Sequence, residues 1–201
     1  MNQLVIIGAS AMGRETCAYA QECGIEVKGF LDSRSTILEK YKGYPPILGE
    51  VESWRPLDGE IYICACGEPQ VKQKYVEMFP NVKWATIVHP TAYVGINVNI
   101  GYGTIICPHA TITTDTNIGN HVIININASI SHDCSVGDLT SISPGCHVAG
   151  WCTIGKAVFL GTHSALVPNV TLGDTVFVAA GAVVTRSVNV GRVMGVPARL
   201  K

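Results

Sequence analysis

From Val88 to the C-terminus the chain keeps a six-residue beat. Steps of six from Val88 land on Val94, Ile100, Ile106, Ile112, Ile118, Ile124 and onward to Val178 and Val184, seventeen aliphatic residues without a change of phase. Four places after each stands a small or β-branched residue: Ala92, Val98, Thr104, Ala110 and so on to Ala182. A period of six fits neither the turn of an α-helix nor the alternation of a half-buried strand. It is the hexapeptide signature of a parallel β-helix.

The period also sets the geometry. Three hexads close one triangular coil, each hexad being a short flat strand and a corner, so residues eighteen apart stack at roughly 4.8 Å. The aliphatic residue and the small residue four places on both point into the prism, because their offset is even. About five coils follow, enough for an independently folded unit. A prism filled this way has no internal pocket, and no long loop interrupts the hexads. A site must therefore lie on an outer face, and a deep one needs a second chain against it. The expectation is a trimer with sites between chains.

Composition agrees. Of 201 residues, 47% are hydrophobic and only 14% charged, as suits strands buried in one another. A net charge of −1 without a basic run argues against nucleic acid. The longest apolar runs, such as Val122 to Ile126, are too short to span a bilayer. Met1-Asn2-Gln3 lacks the basic start and apolar core of a signal peptide, so the expected location is cytoplasmic. Eight cysteines include no CxxC pair. Cys134, Cys146 and Cys152 fall at the small inward place, and read as core residues rather than a disulfide framework.

Ahead of the repeat, residues 1–87 form a separate α/β unit, with 88–201 the β-helix. Gln3 to Ile7 reads as a buried strand, Gly8-Ala9-Ser10-Ala11-Met12-Gly13 as a turn, then a helix to about Cys23 and a strand from Val27 to Leu31. Strand, glycine turn, helix and strand make a Rossmann-like βαβ unit. The helix start favours a phosphate. The fingerprint is partial, since Ser10 stands where a dinucleotide site has its middle glycine. Asp32 lies nineteen residues after Gly13, about where an acid meets a ribose. Gly8 and Gly13 equally suit a tight turn and close helix packing. A strand from Ile61 to Ala65, the turn at Cys66-Gly67-Glu68, a helix from Pro69 to about Phe79 and a last strand from Lys83 to Val88 complete a three-layer unit. It is too small to be a dehydrogenase alone.

The polar cluster on the β-helix is Asn125, Asn127, Ser129, Ser131, His132 and Asp133. His132 falls near a strand end, and Gly150, eighteen residues on, leaves room beside its ring and offers a backbone N–H. An imidazole is suited to general-base work near neutral pH, and a turn at this corner would bring Asp133 to it. From spacing alone His132 is equally a surface histidine. His121 and His147 read as surface or interface residues. His109 and His163 share a column but lie three coils apart, roughly 14 Å. No zinc site within one chain is expected.

Two segments are more specific: Ser131-His132-Asp133-Cys134-Ser135-Val136-Gly137, and Gly195-Val196-Pro197-Ala198-Arg199. With the Gly8-Ala9-Ser10 unit ahead of an uninterrupted hexapeptide array, the chain resembles the bacterial sugar O-/N-acyltransferases of the sialic-acid O-acetyltransferase type. The best-matched branch is the UDP-4-amino-sugar N-acetyltransferases of bacillosamine-type biosynthesis. The resemblance implies a left-handed β-helix, a homotrimer, and acetyl-CoA in the groove between adjacent β-helices, with no metal. It makes His132 the general base, Asp133 its acidic helper (a Glu in the bacillosamine enzymes) and Asn125 a nearby polar group. Ser141 stands where some members have a second histidine. Contacts to acetyl-CoA carry over to Ser141, Gly150, Thr162 and Ala180. A nucleotide-linked sugar falls to Gly8, Ala9, Ser10, Gly13, Asp32 and Gly67, with Asp32-Ser33 in place of two acids. The implied reaction is acetylation of a sugar 4-amino group in surface-glycan biosynthesis. O-acetylation of a sialic acid and a non-catalytic sugar-nucleotide-binding trimer are the alternatives.

Overall fold

The computed structural model describes residues 3–201. The α/β unit contains β1 (Gln3–Ile7), α1 (Ala11–Glu22), β2 (Val27–Leu31), β3 (Ile47–Gly49), β4 (Glu60–Cys64), α2 (Pro69–Glu77) and β5 (Lys83–Trp84). All strands pair in parallel, in the order β3-β2-β1-β4-β5. The order reverses at β1, which sits between β2 and β4. That creates a crevice at the carboxyl ends of the strands, where open α/β sheets bind ligands. Alternate residues face opposite sides of the sheet. Leu4, Ile6, Phe30 and Ile63 pack with Cys17, Tyr19 and Ala20 of α1. Val5, Ile7, Leu31 and Tyr62 pack with Phe79 and α2. The short β3 gave no periodic signal in the sequence.

The expected strand from Lys83 to Val88 is two strands. β5 ends at Trp84, and Ile87–Val88 already belongs to the first coil, where Ile87 N–H donates to Thr104 O. The chain changes sheets at Ala85-Thr86, so the hydrophobic run is split between two partners.

The rest is a left-handed parallel β-helix. Its faces are sheets whose strands recur every eighteen residues in perfect register. The first face carries Ile87, Ile105, Ile123, Ser141, Phe159 and Phe177 outward. The second carries Tyr93, Thr111, Ser129, His147, Ala165 and Val183, and the third Asn99, Asn117, Ser135, Thr153 and Thr171. The leading aliphatics fill the prism, except at its open end, where Val88 is 37% exposed.

The small inward residues have a second task. At six corners a carbonyl points into the prism wall, and a buried donor fifteen residues earlier meets it. Thr104, Thr116 and Thr140 donate to Gly119, Ser131 and Gly155 carbonyls at 2.9, 3.1 and 2.9 Å. Cys134, Cys146 and Cys152 donate through Sγ to Ala149, Gly161 and Val167 at 3.2, 3.0 and 3.3 Å. Thiol and hydroxyl are interchangeable here because both are small and carry one donor. All eight cysteines are free.

The α/β unit lies against the first face. Ile87, Ile105, Cys107 and Ile123 join the α1-side core. His89 bonds Glu22 through Nε2 (2.8 Å) and Thr91 through Nδ1 (2.8 Å), tying α1 to the first coil.

Candidate active site

At each corner one residue takes the left-handed conformation, and twelve of these are not glycine, with φ between 53° and 64°. At the corner between the second and third faces this residue is Asp133, at φ 58°. The reversal supplies the turn that a flat strand lacks. It swings the carboxylate back beside the preceding residue, and His132 Nδ1 lies 2.8 Å from Asp133 Oδ2. The carboxylate only accepts, so it fixes the proton on Nδ1 and leaves the Nε2 lone pair outward. Both side chains are nearly half exposed, at 45% and 46%.

Gly150 stacks one coil on. A Cβ there would lie 2.6 Å from His132 Cε1 and 2.9 Å from Nε2, so any side chain would displace the ring. Its N–H has no protein acceptor among the described residues. Trp151, also left-handed at φ 58° and exposed, meets the imidazole edge-on at 4.5 Å between centroids. Cys134, next along the chain, points inward to its carbonyl and is buried, so the corner offers no thiol nucleophile.

The other expected β-helix residues stand elsewhere. Asn125, Thr162 and Ala180 lie at the preceding corner, between the first and second faces. The amides of Thr162 and Ala180 are likewise without protein acceptors among the described residues. Within one chain this edge is separated from His132 by the whole second face. Ser141 is on neither edge. It is outward on the first face, but that face is covered: Ser141 is buried and its Oγ accepts from Lys72 Nζ at 2.9 Å. The expected place of Ser141 on an open groove does not match this geometry. His121, expected at the surface or at an interface, is buried between Trp84 and Tyr102 (4.6 and 5.3 Å), where the α/β unit meets the β-helix. Burial there pushes its pKa down to about 4.

The crevice of the α/β unit is a cavity of about 310 Å³. Gly8, Ser10, Asp32 and Gly67 line it, with Arg34, Cys66, Glu68 and Tyr75. The first α1 backbone bond is Arg14 N–H to Ser10 O, so the three amides before Arg14 remain available to an anion. Ser10 makes no side-chain cap, and no acid stands in the first turn. Gly13 does not line the cavity. A Cβ there would be 2.0 Å from Gly8 O, so it is a packing glycine that lets α1 sit on the turn. Ala9 is buried and contributes its N–H to Asp32.

Asp32 is already engaged. Oδ2 accepts from Ala9 N–H (2.9 Å) and Arg34 Nη2 (3.0 Å), and Oδ1 from Arg34 N–H (3.0 Å) and Nε (2.9 Å). Burial pushes its pKa up, but the bonds from Arg34 and Ala9 win and hold it below the usual carboxylate value. Asp32 lines the cavity with both oxygens engaged, and Arg34 beside it keeps free donors there. A shared hydrogen bond lowers the pKa of Cys66 and raises that of Cys64.

The residues missed from sequence are Arg34, Trp151 and Lys72. An Arg two places after an acid at a strand end was a readable signal, since one accommodates an extra phosphate in dinucleotide folds. Trp151 was readable as the residue eighteen after Asp133. Lys72 had no signal. It is fully buried on α2, donates to Thr140 O (3.2 Å) and Ser141 Oγ, and burial pulls its pKa down to about 7.

An α/β unit leading into a left-handed β-helix is the architecture of the hexapeptide-repeat sugar acetyltransferases, which the sequence resembles. Residues 3–79 match the PglD N-terminal domain family. Over 100% of both chains the structure is similar to the acetyltransferase domain of PglB from Neisseria gonorrhoeae (TM-score 0.92, 26% identity), and that domain is also known in complex with acetyl coenzyme A. PerB from Caulobacter crescentus, in complex with CoA and GDP-perosamine, is similar over 100% of this chain and 98% of its own (TM-score 0.90, 27% identity). The uncharacterized protein L142 of Acanthamoeba polyphaga mimivirus is 30% identical over 75 residues, and the match spans 15% of its length.

Proposed function

We propose that the protein transfers the acetyl group of acetyl-CoA to the 4-amino group of a nucleotide-linked amino-deoxy sugar, in bacterial surface-glycan biosynthesis. The carrying observation is the His132–Asp133 pair on an open corner, stacked on Gly150. Asp133 holds the Nδ1 proton, and Nε2 removes the proton of the attacking amine. The free N–H of Gly150 is placed to meet the negative charge that develops on the acyl oxygen. Acetyl-CoA, as co-substrate, supplies an activated thioester. The Thr162 and Ala180 amides suit its pantetheine, and Gly150 leaves the space a thioester needs beside the imidazole.

The two half-sites on separate edges support a trimer. The first face is covered and the third is a polar ladder, in which Asn99 Nδ2 donates to Asn117 Oδ1 at 2.8 Å. That leaves the second face for the threefold axis. Its two edges then meet the opposite edges of neighbours, bringing Asn125, Thr162 and Ala180 of one chain to His132 of the next. A cytoplasmic location suits eight free thiols and both substrates. Among the described residues no helix is long and apolar enough to cross a membrane.

The test is thiol release from acetyl-CoA, with UDP- and GDP-linked 4-amino-4,6-dideoxy sugars and a sialic acid as acceptors. Release with an amino sugar, lost in His132→Ala, is expected. Release with the sialic acid alone would assign the O-acetyl reaction. Ligand binding with unchanged turnover in His132→Ala would remove this base from the mechanism.

A further inference from the structure

We propose that Arg34, clamped by Asp32 at the cavity, reads the nucleobase of the acceptor and selects guanine over uracil and adenine. This rests on the nucleotide-sugar reading above and deepens it.

Asp32 is 6% exposed and spends both oxygens on holding Arg34 and the Gly8 turn. It takes the Nε side of the guanidinium. The second N–H of Nη2 and both of Nη1 have no protein acceptor among the described residues, and the side chain is 61% exposed where it lines the cavity. What remains is a two-donor fork in a fixed plane. A fork held this way loses little freedom on binding.

The phosphates have other partners. The amides at the start of α1 follow the Gly8 turn at the end of β1. Arg34 follows the end of β2, one strand away. In a crevice of this topology the diphosphate sits at the glycine turn, and the nucleoside extends over the neighbouring strand end. Arg34 is therefore on the nucleoside side.

A donor-only fork needs two adjacent acceptors. Guanine offers N7 and O6 side by side. Adenine sets its N6 amino donor next to N7, whereas a free cytosine sets the acceptors N3 and O2 side by side beyond its N4 amino donor. Uracil places O4 beside a C–H on one flank and N3–H on the other, so it satisfies one donor and leaves the second unpaired. Guanine and cytosine can fill the fork, and adenine and uracil cannot. The uridine expected from the sequence resemblance goes with acids at this place, where the present chain shows a cation.

The experiment is calorimetric titration of the full chain with GDP, UDP, ADP and CDP, without acetyl-CoA, for wild type, Arg34→Ala and Arg34→Lys. A bidentate contact gives discrimination on the order of 10- to 100-fold. The expected result is GDP tighter than UDP and ADP by that factor, with CDP on the GDP side of the gap. Arg34→Ala should erase the preference while leaving UDP affinity within about twofold, and Arg34→Lys should restore little of it. A wild type without GDP preference, or one favouring UDP, overturns the inference and leaves the acetyltransferase reading standing. Equal weakening of all four diphosphates in Arg34→Ala also overturns it, and makes Arg34 a phosphate ligand. No binding of any diphosphate removes the nucleotide reading itself. Circular dichroism melts of both variants confirm that the fold is kept.

Discussion

Mixing two inactive variants should restore a defined fraction of activity. His132 and the Thr162/Ala180 edge border the same face but sit at opposite corners, and seven residues separate Asn125 from His132. At ~3.3 Å per residue that is up to ~23 Å of backbone, too far for one thioester to be held by both edges of a single chain. In a cyclic trimer each site takes His132 from one chain and the acetyl-CoA edge from the next. His132→Ala removes the base, and Ala180→Trp blocks the edge at an exposed residue. Each parent should lose roughly 10²- to 10⁴-fold, the usual worth of a general base for the first. After equal mixing, unfolding and reassembly, a site works when its histidine chain is the Ala180→Trp variant and its edge chain is the His132→Ala variant. Random assembly gives one half times one half, so about a quarter of wild-type turnover should return. The assay is thiol release after light scattering has confirmed trimers, with tagged parents to show mixed assembly. Mixed trimers with no recovery above the parents would refute the placement of the half-sites on different chains.

Further outcomes follow from other contacts. Asp133→Asn should keep binding but lower kcat by roughly ten- to a thousandfold, since an amide no longer fixes the Nδ1 proton, as steady-state kinetics would read. Trp151→Ala should lower kcat/KM about 2- to 10-fold by freeing the imidazole, with Trp151→Phe recovering most of it, because such aromatic pairs contribute about 0.5–1.5 kcal/mol. Nucleotide should slow alkylation of Cys66, the half-buried thiol in the cavity, which peptide mapping after iodoacetamide would detect; labelling indifferent to nucleotide would put the ligand elsewhere. Lys72 titrates near 7 when folded and near 10.5 when unfolded, so between these values the unfolded chain holds the extra proton and stability rises with pH. Melting temperature should therefore climb from pH 7 to 10 more steeply in wild type than in Lys72→Met, and parallel curves would contradict the buried neutral amine.

The β-helix was legible because its constraint is local and repeated: each hexad must deliver one aliphatic and one small residue inward, and the register leaves no freedom. The His132 corner was half legible. Spacing placed His132 over Gly150, but the left-handed turn that returns Asp133 to the ring is a backbone event that residue types alone do not announce. The α/β unit was less so. Asp32 was found by its distance from Gly13, yet its oxygens are taken by Arg34, and hydrogen-bond saturation has no periodic trace. The burial of Ser141 and His121 was not legible for one reason. Outward positions of a repeat look exposed until another unit packs on them, and the contacts of α2 and Trp84 are long-range.

Lys72 fastens the α/β unit to the first face of the β-helix, and coils stack with a fixed rise, so the chain behaves as a ruler. The distance along the axis between the nucleotide crevice and the His132 corner is set by which coil carries each. Inserting one eighteen-residue coil between Asn120 and Ser129 would move the base by ~4.8 Å, about one sugar substituent, and would cost the Lys72 bonds to Thr140 and Ser141. Reach to the acceptor amine is then an integer property of the repeat, adjustable by whole coils and by nothing smaller.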